Sequence, residues 1–267
     1  MRSANPIGVF DSGVGGLSVL LSIREELPNE DLLYIADSKH APYGNKTRKY
    51  IEERSITLTR FLISQDAKAI VVACNTATSA AISTLRSMFS LPFIAIEPAI
   101  KPGVQISESG VIGVLATEET LRSEKFCTLR QLFDDKAEIM CQPCPGLVEQ
   151  VEKLDISGEK TQDLINRFIS PLLERGIDTI VLGCTHYPFL LPLIKDIAGP
   201  NVTIIDTGAA VSKELARRLN AEHIVNNRNN TGSEFFWTSG EIVEYRSVIS
   251  SLWGKDINLQ KLPNVIS

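Results

Sequence analysis

Through the first 220 residues, short unbroken apolar runs alternate with longer stretches in which apolar residues recur every three or four positions. The runs read as strands buried on both faces, and the stretches read as amphipathic helices. This pattern predicts strands at Ile7–Phe10, Leu32–Ala36, Ala69–Ala73, Phe93–Ile96, Val111–Ala116, Glu138–Cys141, Thr179–Gly183 and Thr203–Ile205. It predicts helices at Gly16–Glu26, Arg48–Gln65, Thr76–Met88, Glu118–Phe133, Gly158–Glu174, Pro188–Ala198 and Ala209–Leu219. A C-terminal strand at Glu234–Thr238 and a helix at Glu241–Leu252 follow. Alternating strands and helices imply parallel sheets with helices on both faces.

Part of the pattern occurs twice. Ile70-Val71-Val72-Ala73-Cys74-Asn75-Thr76 returns 110 positions later as Ile180-Val181-Leu182-Gly183-Cys184-Thr185-His186. Upstream, Ile7-Gly8-Val9-Phe10-Asp11-Ser12-Gly13 is answered by Ile112-Gly113-Val114-Leu115-Ala116-Thr117. Pro98, Pro102 and Gly103 interrupt the pattern before the second copy, so the crossover is expected there. The expected organisation is a first α/β lobe of residues 1–97 plus 207–267 and a second of residues 98–206. The expected fold is α/β, with two pseudo-symmetric parallel-sheet α/β lobes and the active site between them.

Composition fits this plan. The 267 residues, 43% of them apolar, can fill two cores of roughly 100 residues each. A net charge of -5 with no basic cluster argues against nucleic acid as the main partner. No apolar run approaches the ~20 residues that span a bilayer, and Met1 to Ser12 holds no signal-like apolar region, so no membrane partner and a cytoplasmic location are expected. Five scattered cysteines, an odd number, read as reduced thiols. Oligomeric state is open at this point, a homodimer included.

In parallel α/β sheets, ligands bind beyond the carboxyl ends of the strands. Those ends carry Asp11-Ser12-Gly13, Asp37-Ser38 and Cys74-Asn75-Thr76 in the first half, and Thr117, Gln142 and Cys184-Thr185-His186 in the second. Ser, Thr and Asn there can hold the carboxylates and ammonium of a small zwitterion, or they can simply cap helices. A lone cysteine ending a strand is most often a small apolar filler, but two in matched places, each before a helix, point to reactive thiols. Cys127 reads as core, and His40 and His223 as surface residues. Cys141 and Cys144 form a Cys-x-x-Cys with no second pair nearby, so no metal site is expected. Gly13-Val14-Gly15-Gly16 lacks the Lys-Ser/Thr of a phosphate loop and reads as a tight turn that brings backbone amides close to a carboxylate.

Gly8–Ser18, Ala41-Pro42-Tyr43-Gly44, Ala73–Ala77 and Leu182–Pro188 together resemble the glutamate racemases of the aspartate/glutamate racemase family. The resemblance extends from near residue 7 to near residue 215. It implies cofactor-independent interconversion of L- and D-glutamate, which supplies D-glutamate for peptidoglycan. Carried over position by position, it implies that Cys74 and Cys184 are the two acid/base thiols, with Cys74 acting on D-glutamate and Cys184 on L-glutamate. Asp11 and His186 would assist them. Substrate contacts would come from Asp11, Ser12, Tyr43, Gly44, Asn75, Thr76, Thr185 and His186. Asp37 and Glu152 would be supporting acids, with Glu149 an alternative to Glu152. Two thiols suit the chemistry, because a single base cannot remove a proton from one face of Cα and deliver one to the other.

Overall fold

The computed structural model describes residues 2–263 and Ile266. In chain order the elements are β1 (Ile7–Asp11), α1 (Leu17–Glu26), β2 (Leu32–Ala36), α2 (Arg48–Ser64), β3 (Ala69–Val72), α3 (Asn75–Met88) and β4 (Phe93–Ala95). There follow α4 (Ile100–Ile106), β5 (Val111–Ala116), α5 (Glu118–Arg122), α6 (Glu124–Gln131), β6 (Glu138–Pro143), α7 (Leu147–Glu152), α8 (Glu159–Glu174), β7 (Thr179–Leu182), α9 (Leu191–Ala198) and β8 (Thr203–Ile205). The chain closes with α10 (Gly208–Ala221), β9 (Glu234–Thr238), α11 (Ile242–Trp253) and β10 (Leu259–Lys261). Two compact units result: one runs to Ile96 and resumes at Gly208, and the other is Glu97–Thr207.

The first unit holds a six-stranded sheet, ordered β10-β9-β2-β1-β3-β4 and parallel throughout. Strand positions alternate between its faces. Phe10, Ile35, Ile70 and Val72 join Ile51, Leu58 and Leu62 of α2 and Ala77, Ala81 and Leu85 of α3 in one core. The alternate positions Val9, Tyr34 and Val71 are equally buried. On that side Phe236 of β9 meets both the Tyr34 ring and the Trp253 ring of α11, while α1 packs against α10 and α11. With both faces covered, these strands are continuously apolar, which is why they stand out in the sequence.

The second unit holds a four-stranded parallel sheet, ordered β6-β5-β7-β8. Ile112, Val114, Ile139 and Val181 form a core with Ile100 of α4 and Phe126 of α6, and Gly113 lies close against Leu172 of α8. Its strand order repeats that of the first unit: β2-β1-β3-β4 maps onto β6-β5-β7-β8. The sequence echo is therefore an echo of topology, with β9 and β10 added at the outer edge of β2.

Local differences from the sequence pattern have identifiable causes. The stretch expected as one helix at Glu118–Phe133 breaks at Ser123, whose extended ψ of 141 ends α5 while its hydroxyl accepts from Phe126 N at 3.2 Å and caps α6. The helix expected at Pro188–Ala198 opens as a 3-10 turn, Tyr187–Leu190, before α9 begins. Pro102 and Gly103 do not keep the crossover irregular, because Pro102 falls in the first turn of α4, where its missing N–H costs nothing. No helix among the described residues is long and apolar enough to cross a membrane.

Candidate active site

In the first unit, β1 and β3 bring Asp11 and Cys74 to the carboxyl edge of the sheet. Gly16 allows this close packing, since a Cβ there would sit 2.6 Å from the Asp11 Cβ and 3.2 Å from that of Ala73. Asp11 Oδ1 accepts from the Ser12 hydroxyl at 3.1 Å and from Gly13 N at 2.7 Å, so the glycine turn does aim an amide at a carboxylate. The Cys74 thiol lies 3.6 Å from Ser12 Oγ and accepts from Ala77 N at 3.4 Å as the N-cap of α3. A chain thus runs from Cys74 Sγ through Ser12 Oγ to Asp11 Oδ1. Asn75 begins α3 almost fully buried, with neither its amide oxygen nor its amide nitrogen bonded. Thr76, next to it, is also buried.

Asp37 follows β2, with its backbone N–H donating to Asp11 O at 3.0 Å. Its carboxylate accepts from Tyr43 Oη at 2.6 Å and from Arg54 Nε and Nη2 at 3.0 and 2.6 Å. Burial, then the Asp37 charge, push the Tyr43 phenol well above its ordinary pKa, so it remains a donor. Tyr43 and Gly44 lie in a 3-10 turn, Tyr43–Asn45.

In the second unit, β7 delivers Cys184. Gly183 precedes it, and a Cβ there would meet Ala116 Cβ at 3.0 Å and Leu115 O at 3.1 Å. Unlike Cys74, Cys184 caps no α-helix: its carbonyl accepts from Tyr187 N at 3.1 Å in the turn that leads to the 3-10 segment. Its Sγ lies 3.8 Å from His186 Nδ1, and His186 Nε2 lies 2.7 Å from Glu152 Oε1 at the end of α7. Burial disfavours a charged imidazole, but the hydrogen bonds and charges of Cys184 and Glu152 outweigh it, and the His186 pKa stands well above its ordinary value. Glu152 is the acid that touches His186, and Thr185 is buried beside them.

Two sequence expectations need correction, and one site residue was missed. Cys127 is exposed, because the break at Ser123 sets the phase of the short α6 so that Phe126 faces the core instead. His40 is not a free surface residue: it is half-buried, and its Nδ1 is hydrogen-bonded to the Tyr50 hydroxyl. Arg54 was not among the expected site residues, although an arginine on the Ile51–Leu58–Leu62 stripe of α2 is a readable signal. None of the five cysteines is in a disulfide. Among the described residues no cluster of three or more His, Cys, Asp or Glu side chains could hold a metal ion.

The family profile described as Asp/Glu/hydantoin racemase matches residues 7–215. A curated glutamate racemase of Methylococcus capsulatus is 54% identical over 259 residues, covering 97% of this chain and 96% of its own. The crystal structure of glutamate racemase from Francisella tularensis in complex with D-glutamate superposes with a TM-score of 0.85 at 30% identity, covering 98% of both chains. That of Escherichia coli glutamate racemase with L-glutamate and the activator UDP-MurNAc-Ala gives a TM-score of 0.86 at 29% identity, covering 97% of this chain and 98% of that one. A profile match over most of the chain, a near full-length relative sharing half its residues, and two superposable structures agree, and the chain belongs to the aspartate/glutamate/hydantoin racemase family.

Proposed function

We propose that this protein interconverts L- and D-glutamate without a cofactor, Cys74 and Cys184 serving as the two acid/base groups. The observation that carries the reading is a buried thiol at the carboxyl end of the matching strand in each unit, each tied to a carboxylate: Cys74 through Ser12 to Asp11, and Cys184 through His186 to Glu152. With D-glutamate, the Cys74 thiolate takes the Cα proton and leaves the bonding pair on a carbanion conjugated with the carboxylate. The Cys184 thiol then gives its proton to the opposite face and becomes the thiolate. With L-glutamate the roles reverse.

Asn75 supports binding of a small polar substrate, since a buried amide with no partner is costly until something supplies one. Asp11, Ser12, Tyr43, Gly44, Thr76, Thr185 and His186 are the remaining proposed contacts, with Asp37 and Glu152 as supporting acids. Glutamate, rather than another amino acid, is favoured by the relatives named above, two of which are described with its enantiomers bound. The product would serve peptidoglycan synthesis in the cytoplasm.

The test is circular dichroism of D- or L-glutamate with purified protein in metal-chelated, cofactor-free buffer. Enantiomers have equal free energy, so the signal should decay to zero from either side. No decay until pyridoxal phosphate is added would overturn the proposal. Aspartate should react far more slowly, because a site spaced for the longer acid leaves polar partners unmatched by the shorter one. Comparable rates on both acids would move the assignment to a broader racemase.

A further inference from the structure

Arg54 sits on α2 three residues after Ile51 and four before Leu58, on the stripe that otherwise packs into the core of the first unit. A guanidinium there is costly unless it is paired. It makes three bonds: Nε and Nη2 grip the two oxygens of Asp37, and Nη1 donates to the carbonyl of Ile266 at 2.7 Å. Asp37 is fully buried, and Arg54 keeps only 13% of its side chain exposed. This fork geometry fixes a carboxylate in the plane of the guanidinium, which a single point charge does not do. The Asp37 oxygen that faces Arg54 Nε also accepts from the Tyr43 hydroxyl. A continuous series of contacts therefore joins residue 266, Arg54, Asp37 and the Tyr43–Asn45 turn.

We propose that Arg54 is a positioning residue for substrate binding: it holds Asp37 in the geometry that pins Tyr43, and with it the Tyr43-Gly44 turn, and it makes that geometry depend on the docking of residue 266. The proposal rests on the reading of Tyr43 and Gly44 as substrate contacts. It differs from a purely stabilising ion pair in its expected effect on kinetics. For a racemase, kcat/KM must fall by the same factor in both directions whatever the mutation, so the informative split is KM against kcat. Loosening a binding turn raises KM and leaves kcat nearly untouched.

The experiment compares wild type, Arg54→Gln, Arg54→Lys, a chain ending at Pro263, and that truncation combined with Arg54→Gln, using glutamate in both directions, with far-UV circular dichroism confirming the fold. Arg54→Gln should raise KM about tenfold for both enantiomers with kcat within about threefold, the scale of losing charge-assisted hydrogen bonds. Arg54→Lys should recover part of the loss. Truncation should raise KM less, and should add nothing to Arg54→Gln, because the contact it removes is already gone.

A second readout does not depend on turnover. The Tyr43 ring-carbon resonance in 13C-tyrosine-labelled protein, assigned with Tyr43→Phe, should move in Arg54→Gln and return partway in Arg54→Lys. Unchanged KM and an unmoved Tyr43 resonance in folded Arg54→Gln would overturn the proposal. A wild type that is inactive on glutamate, in which Arg54→Gln still shifts Tyr43, would overturn the substrate reading and keep the positioning of Tyr43.

Discussion

Cys74 and Cys184 occupy equivalent strand ends but are supported differently. Cys74 has an α-helix amino terminus and a hydroxyl, whereas Cys184 has an imidazole backed by a carboxylate. The second arrangement makes His186 the residue most sensitive to its neighbour. Replacing Glu152 by Gln removes one of the groups that raise the imidazole pKa and leaves the opposing burial in place. Ring-proton NMR across pH should therefore show His186 titrating lower in Glu152→Gln than in wild type. The linked stability has a definite sign. A histidine whose folded pKa is raised contributes stability that is complete below the unfolded value of about 6.5 and is lost as pH rises through the folded value. The stability advantage of wild type over Glu152→Gln should thus be largest in mild acid and shrink in alkali, and a constant difference across that range would refute the coupling.

At the scale of elements, Asp178 ties the turn between α4 and β5 to the start of β7. It accepts from the Ser107 hydroxyl, Glu108 N and Ser109 N at 2.6 Å each and from the Thr179 hydroxyl at 3.0 Å. Desolvation works to raise its pKa, but these bonds outweigh it and hold the carboxyl at about 2. For a lowered carboxyl the stabilisation is present above the unfolded value near 3.8 and is lost as pH falls through about 2. Asp178→Asn should cost about 1 kcal/mol at pH 7 after allowance for solvent screening, and denaturant melts should show the gap to wild type narrowing below pH 4. Such ties lie outside what sequence periodicity registers, because Ser107 and Asp178 meet only once β5 and β7 pair. The strands themselves are legible, since burial on both faces leaves an unbroken apolar run, as at Ile70–Val72. The helix break at Ser123 is not legible, because Ser123 and Glu124 continue a helical pattern until the serine hydroxyl turns to cap. Of the candidate site residues, Cys74, Cys184 and Asp11 stand out at strand ends. The Arg54–Asp37 and His186–Glu152 pairs do not, because tertiary packing, not spacing, brings their partners together.

For the whole molecule, the repeated strand order sets a buried cysteine after the same strand of each unit, and under the proposed mechanism inversion at Cα would use both thiols. Racemisation alone cannot separate their roles, because equal enantiomer energies force kcat/KM to be identical in both directions for every variant. In deuterated water the wild type should place solvent deuterium mainly in the product, since the thiol that reprotonates Cα has already exchanged with solvent. Cys74→Ser and Cys184→Ser should each abolish racemisation, a hydroxyl being a far weaker acid and base than a thiol near neutral pH. Elimination from a glutamate analogue carrying a leaving group at Cβ needs only the abstracting base. The Cys74→Ser variant should therefore still process the L analogue through Cys184, and Cys184→Ser the D analogue through Cys74. Equal loss of both analogues in both folded variants would mean that the thiols act as one coupled unit, and wild-type racemisation in either variant would remove that thiol from the mechanism.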